Sequence, residues 1–267
     1  MGTAGDGGEP DKPNSSIRSM NSVLSTLRVF EEVAVRQPIG VSELARVTGI
    51  PKSSVQRCLV TLEQARWLRI VDREHARWGV TMKALVLGLR SAGEQDLREV
   101  ATPVIKGLAA ETGETVLLGL RDGDDYLIVA REDSSQLVRV FMEIGTRVPL
   151  GGSSGGVAIL ARLEPQEVDE LLRAEPREFE GAPLLAPDDL RKEIARTTER
   201  GYAMNMSSWY RPHVASLGAA ITNAAGRPIA AVTLSIPEMR YQSAQEEQLA
   251  KKVVAAADEI SRLLSSP

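Results

Sequence analysis

Apolar residues recur at helical spacing through the first quarter of the chain. Met20, Val23, Leu24, Leu27, Phe30 and Val33 predict an amphipathic helix. Residues 42–62, SELARVTGIPKSSVQRCLVTL, predict two short helices joined by a tight turn. Ser42 is suited to cap the first, Gly49 to end it in a left-handed conformation, and Pro51 to sit in the first turn of the second. In that second helix Val55, Cys58, Leu59 and Leu62 form one apolar face, while Ser53, Gln56, Arg57 and Val60 repeat the spacing on another. The period then shortens: WLRIVDREHARWGVT alternates about Asp72–Ala76 and predicts a β-hairpin. Ala45, Gly49 and Val55 are placed to let two helices pack at a steep angle. Three helices followed by a hairpin make a winged helix-turn-helix, whose last helix is free to enter a DNA major groove. The alternative is an ordinary pair of core helices with a solvated face.

Beyond the hairpin, VTMKALVLGLRSAG predicts a linker helix ending near Gly93, and Leu97, Val100, Val104 and Leu108 mark another helix that stops at Gly113. Strands follow. TVLLGLRDGDDYLIVARE holds two β-rich runs about Asp122–Gly123, and LVRVFMEI is a third run ending at Gly145. RVPLGGSSGGVAILARL passes through a Gly/Ser loop into a helix that continues to Leu163. A short helix starts at Pro165, and Asp188 or Asp189 can cap another that runs to about Arg200. The last third predicts strands over Tyr202–Met206, Val214–Thr222 and Pro228–Ile236, with a helix from Ala244. The expected class is α+β in two domains, a mainly α winged module and a mostly antiparallel sheet flanked by helices. The expected organisation is a disordered tail over 1–14, the winged module over 15–80, a linker helix over 81–95 and a second domain over 96–267.

Charge sharpens this division. The whole chain of 267 residues has a formal net charge of −4. Residues 14–90 carry 12 Lys+Arg against 6 Asp+Glu, a net +6, whereas residues 91–267 carry a net −8. A basic module suits phosphate neutralisation on DNA. The single cysteine, Cys58, rules out a disulfide framework and points to a reducing compartment. With two histidines, His75 and His213, a structural zinc site is also excluded, and no metal or cofactor is expected. No apolar run reaches the roughly 20 residues that span a bilayer, so a cytoplasmic protein without membrane contact is expected.

Two segments could carry chemistry. In Gly151–Gly156, glycines permit close backbone approach and the following helix offers its N-terminal amides to a carboxylate or phosphate; a glycine-enabled tight turn explains the same residues. The loop also matches G-x-S-x-G at Ser153 and Ser154, the pattern of a hydrolase nucleophile elbow. An elbow must follow a buried parallel strand, and Arg147 and Pro149 argue against one here. Trp209-Tyr210-Arg211-Pro212-His213 can line a pocket for an aromatic or anionic ligand, or pack as a surface loop. Asp122, Asp124 and Asp125 are read as solvated turn carboxylates.

The order and spacing of SELARVTGIPKSSVQRCLVTLEQARWL, DLREVATPVIKGLAAETGETVLLGLRDGDDYLIV, RVPLGGSSGGVAILA, ERGYAMN and GRPIAAVTLSIP resemble the isocitrate lyase regulator (IclR) family of bacterial transcription factors over about residues 15–264. The resemblance implies a GAF-like effector domain joined by a linker helix to the winged module, assembled as a homodimer or dimer of dimers. It implies a double-stranded DNA operator and a small-molecule effector, a carboxylate or related metabolite. On that reading Lys52, Ser53, Ser54, Gln56 and Arg57 face DNA, with Arg73 and Arg77 in the wing meeting phosphate. The implied effector site takes Ser154 and Gly155 from the loop, Leu137, Val140 and Val148 as its apolar wall, and Asn205, Val214, Ser216, Thr233 and Ser235 opposite, and Trp209 is added to it from the aromatic-basic cluster. The sequence departs from the family pattern at Val157, where a lysine is usual, and across Ser207–His213, where carboxylates and a glycine are usual. A hydrolase using the Gly/Ser loop, or a metabolite-binding module without DNA function, are the competing readings.

Overall fold

The first helix, α1 (Asn21–Arg36), buries Val29 and Val33 and sets Phe30 edge-on against Trp67, ring centroids 5.3 Å apart. Its other apolar residues do not join that core: Met20, Val23, Leu24 and Leu27 stay exposed. The expected single apolar face is therefore two, one packed and one bare. Helix α2 (Val41–Thr48) starts one residue before Ser42, with Gly40 at its cap position and no side-chain cap, and ends at Gly49 in the left-handed region (φ 70°). Pro51 is the cap residue of α3 (Lys52–Gln64), which buries Val55, Cys58, Leu59 and Leu62 as its spacing dictates. Strands β1 (Leu68–Asp72) and β2 (Arg77–Val80) form the hairpin, and Ile39 bridges to Trp78 beside it. Asp72 shapes the turn by accepting from the backbone N–H of Glu74 and His75, and those bonds hold its carboxyl below the usual range. Helix α4 (Lys83–Ser91) follows. The computed structural model describes residues 19–91, 97–173, 184–206 and 211–265, so the expected tail and the end of the expected linker lie outside the described residues. By its internal contacts the chain divides into residues 1–93 and 94–267.

The second unit is built on a six-stranded antiparallel sheet. In chain order its strands are β3 (Thr115–Asp122), β4 (Asp125–Glu132), β5 (Arg147–Pro149), β6 (Ala203–Met206), β7 (Val214–Thr222) and β8 (Pro228–Pro237). Across the sheet the order is β5-β4-β3-β8-β7-β6. Helices α5 (Leu97–Thr112) and α9 (Glu246–Leu264) cover one face. There Ile105, Leu108, Val253 and Ile260 pack on Val116, Leu118, Leu217, Val232 and Leu234. On the other face α6 (Ser154–Leu160) and α8 (Pro187–Arg200) pack on Leu117, Tyr126, Ile128 and Val148, with α7 (Pro165–Arg173) nearby in the chain. Helix α6 is shorter than expected, ending three residues before Leu163. Asp188 and Asp189 lie in the first turn of α8, behind Pro187, rather than capping it. Helix α9 begins two residues after Ala244, behind a 3-10 turn.

The run LVRVFMEI is not a strand. Residues 133–146 form a strap, four of whose backbone carbonyls are held by side chains from outside it. Arg240 donates to Val138 O (2.7 Å), the Thr115 hydroxyl to Val140 O (2.9 Å), Arg211 to Phe141 O (3.1 Å) and Arg131 to Met142 O. A ladder would need those acceptors, and three-residue β5 takes the edge beside β4 instead. Only Val140 and Met142 of the run's apolar side chains are buried. Glu114 anchors the strap's tether through a two-pronged pair with Arg240 (2.7 and 2.6 Å).

Candidate functional site

In the first unit, helix α3 buries one face and presents Lys52, Ser53, Gln56, Arg57 and Val60 to solvent. Ser54 lies a quarter-turn away, half-buried, in a groove shared with Ser22 and Thr26 of α1. Arg57 touches the outer lip of the same groove. In the wing, Arg73 is fully exposed in the β1–β2 turn. Arg77 is half-buried and donates to the carbonyl of Pro38 (3.1 Å), fastening the wing to the segment before α2. Two of the seven DNA-facing candidates, Ser54 and Arg77, are thus also engaged within the fold.

The second unit contains an enclosed cavity of about 40 Å³ on the α6 face of the sheet. Strand alternation makes it. On β8, Val232, Leu234 and Ile236 point to α5 and α9, so Thr233 and Ser235 between them point the other way. On β7, Ser216 sits between Ala215 and Leu217 in the same manner. Register then aligns Asn205, Ser216, Ser235 and Thr115 as one row across β6, β7, β8 and β3. Thr115 is committed to the strap carbonyl of Val140, while Asn205, Ser216 and Ser235 line the cavity with Thr233, Ser154 and Ser153. Tyr126, Leu117, Ile128, Val140, Met142, Val148 and Val214 supply apolar wall, and Arg211 closes one side. Tyr126 donates its hydroxyl to Ala231 O (2.8 Å), and burial pushes its pKa far above the usual tyrosine value. Two buried polar atoms, Ser154 Oγ and Asn205 Oδ1, have no hydrogen-bond partner among the described residues. Buried polar groups in native proteins are nearly always satisfied, so a cavity lined by two orphans is suited to a polar occupant.

Of the residues expected there, Val140, Val148, Ser154, Asn205, Val214, Ser216, Thr233 and Ser235 come together around the cavity. Leu137 does not: it is 98% exposed on the strap and makes no part of the wall. Gly155 lies under the cavity floor, where an added Cβ would stand 2.5 Å from the Tyr126 ring and 2.6 Å from Thr233 Oγ1. Its missing side chain serves packing, as does that of Gly218, where a Cβ would meet Ser154 O at 2.4 Å. The glycines thus bring α6 down on the sheet. Ser153 caps α6 by accepting from Gly156 N (2.9 Å), so that amide is not open to an anion. Trp209 lies outside the described residues. Tyr126, Leu117, Ile128, Met142, Ser153 and Arg211 were not among the expected site residues. Arg211 carried a signal in the aromatic-basic cluster, whereas the strand residues are distinguishable from core only once register is known.

The Gly/Ser loop is not a nucleophile elbow. The strand before Ser153 is β5, a three-residue edge strand antiparallel to β4. Among the described residues no group of His, Cys, Asp and Glu is arranged to hold a metal ion, and no helix is long and apolar enough to cross a membrane.

Residues 24–71 match the IclR helix-turn-helix domain, and residues 89–262 match the bacterial transcriptional regulator IclR C-terminal family. The HTH-type transcriptional regulator BhcR of Paracoccus denitrificans is 30% identical over 256 residues, covering 96% of this chain and 90% of that protein. The transcriptional repressor IclR of Escherichia coli is 28% identical over 246 residues, covering 91% and 89%. The fold is shared with the Thermotoga maritima IclR crystal structure (TM-score 0.72, 23% identity, 93% of this chain and 100% of that one). It is shared too with an IclR homologue from Microbacterium hydrocarbonoxydans complexed with 4-hydroxybenzoate (TM-score 0.73, 21% identity, 91% and 98%). With both units matched in chain order and the second match alone spanning more than half the sequence, the chain belongs to the IclR family of DNA-binding transcriptional regulators.

Proposed function

We propose that the protein binds an operator in double-stranded DNA through α3 and the wing, and that a small carboxylate held in the second unit's cavity sets its affinity for that operator. The observation that carries the ligand half is the pair of unpartnered buried atoms, Ser154 Oγ and Asn205 Oδ1, on residues that line one cavity. A merely structural core would have filled it with apolar side chains. An anionic occupant is supported by Arg211 in the wall. On the DNA side, Ser53, Gln56 and Arg57 are assigned to base edges and Lys52 and Arg73 to phosphates, since the basic first unit exposes them together. The bare stripe Met20, Val23, Leu24 and Leu27 on α1 supports a homodimer, and hence a pseudo-palindromic site. The same composition and the free buried Cys58 support a cytoplasmic setting. An enzyme is disfavoured because the Gly/Ser loop packs rather than presents a nucleophile.

A ligand shifts DNA affinity only by its differential affinity for two arrangements, so the coupling is expected at about 1–3 kcal/mol. The test is selection of bound sequences from random or genomic DNA at fixed salt. Wild type should enrich one pseudo-palindrome. Arg57→Ala should lose about 1–3 kcal/mol and relax preference at one position per half-site. Enrichment of no sequence, or an unchanged preference in Arg57→Ala, overturns the assignment.

A further inference from the structure

The enclosed cavity does not end at its wall. Val140, Arg211 and Val214 line it, and the same three residues line an open cleft of about 850 Å³ on the outside of the strap. Val138, Phe141, Pro212, Pro237 and Met239 form the cleft's sides, whereas the cavity adds Ser154, Asn205, Ser216, Thr233 and Ser235 to its apolar wall. Phe141 and Met239 are exposed, the latter 82% so. Its ionisable residues are Arg139, Arg211, His213 and Glu238, and Glu238 faces His213 at 3.6 Å.

Size decides what each compartment can hold. A water needs roughly 10–15 Å³ of such space, so a 40 Å³ cavity takes a head of few heavy atoms and no aromatic ring. Its two orphan atoms are complementary to a ligand oxygen that carries a proton: Asn205 Oδ1 accepts, and Ser154 Oγ can donate. At the neck stands a guanidinium, the side chain best matched to a carboxylate.

Resting on the reading of the cavity as the effector site, we propose that the effector is a 2-hydroxy carboxylate bearing an apolar tail. Its hydroxyl lies between Ser154 and Asn205, its carboxylate meets Arg211 at the neck, and its tail lies in the cleft against Phe141 and Met239. Head and tail thus read two adjoining spaces through one shared cation.

The test is calorimetric titration of the full chain with four probes: 3-phenyllactate, lactate, 3-phenylpropionate and 3-phenyl-1,2-propanediol. The first has head, charge and tail; each of the others lacks one. Phenyllactate should bind at least about tenfold tighter than any of them, the change expected for burying one ring or satisfying one buried polar group. Met239→Asn should weaken phenyllactate more than lactate, and Arg211→Gln should weaken both acids more than the diol. Equal affinity for lactate and phenyllactate would remove the cleft from the site. Binding of none of the four would overturn the proposal while leaving the operator reading to its own sequence-selection test. A change in oligomeric mass of Met239→Asn without any change in binding would make the cleft an interface between copies and would also overturn it.

Discussion

The two faces of the six-stranded sheet are made by the same strands and do opposite work. Toward α5 and α9, β7 and β8 present Leu217, Ile221, Val232, Leu234 and Ile236, all buried in one hydrophobic cluster. Toward α6, one residue along each strand, they present Ser216, Gly218, Thr233 and Ser235. These polar residues are as buried as their apolar neighbours. A face that gives up hydrophobic contact for hydroxyls and an unpaired amide loses stability that the opposite face must supply. The comparison teaches where to look for function in such a domain: on the face where burial and polarity coincide.

The sharpest way to break the comparison uses adjacent residues. Leu217→Ala on the apolar face should cost about 2–5 kcal/mol by cavity formation, read as a lowered unfolding midpoint. Ser216→Ala, one position along but on the other face, should change stability by less than about 1 kcal/mol and instead alter ligand affinity. Comparable destabilisation by both would mean the polar face is core.

A smaller effect is expected at the strap, which closes the cavity. Glu114 is nearly buried, and its carboxylate is satisfied by Arg240. Arg240→Met strands that carboxylate and frees Val138 O, at a cost of about 1–3 kcal/mol. Hydrogen exchange should then rise over residues 133–146 while α5 and α9 remain protected. Uniform loss of protection across both faces would deny the strap its independence.

Much of this was legible in the sequence because local spacing is sufficient for it. The buried face of α3 follows from Val55, Cys58, Leu59 and Leu62, and β7 coincides with its expected bounds. The Thr233/Ser235 alternation is visible in VTLSIP to anyone who knows which face is buried. What local spacing does not reveal is who takes a backbone hydrogen bond. LVRVFMEI has strand composition, yet Thr115, Arg131, Arg211 and Arg240, at separations from 11 to 102 residues, hold its carbonyls. Likewise the glycines of 151–156 read equally as a cradle or as a packing device. The packing role becomes visible only with Tyr126 above Gly155. On α1, periodicity predicted an apolar face without saying that Leu24 and Leu27 would stay about half exposed.

The central claim, that the polar face is a ligand site and not a defect of packing, is tested most directly by filling it. A thermal-shift screen of small carboxylates, run on wild type and on Ser216→Leu side by side, is the measurement, with retention of the selected operator sequence as the control for folding. The account predicts that wild type is stabilised by a subset of the acids and that the filled variant, still binding operator, is stabilised by none of them. The same acids raising the midpoint of both proteins equally would contradict it.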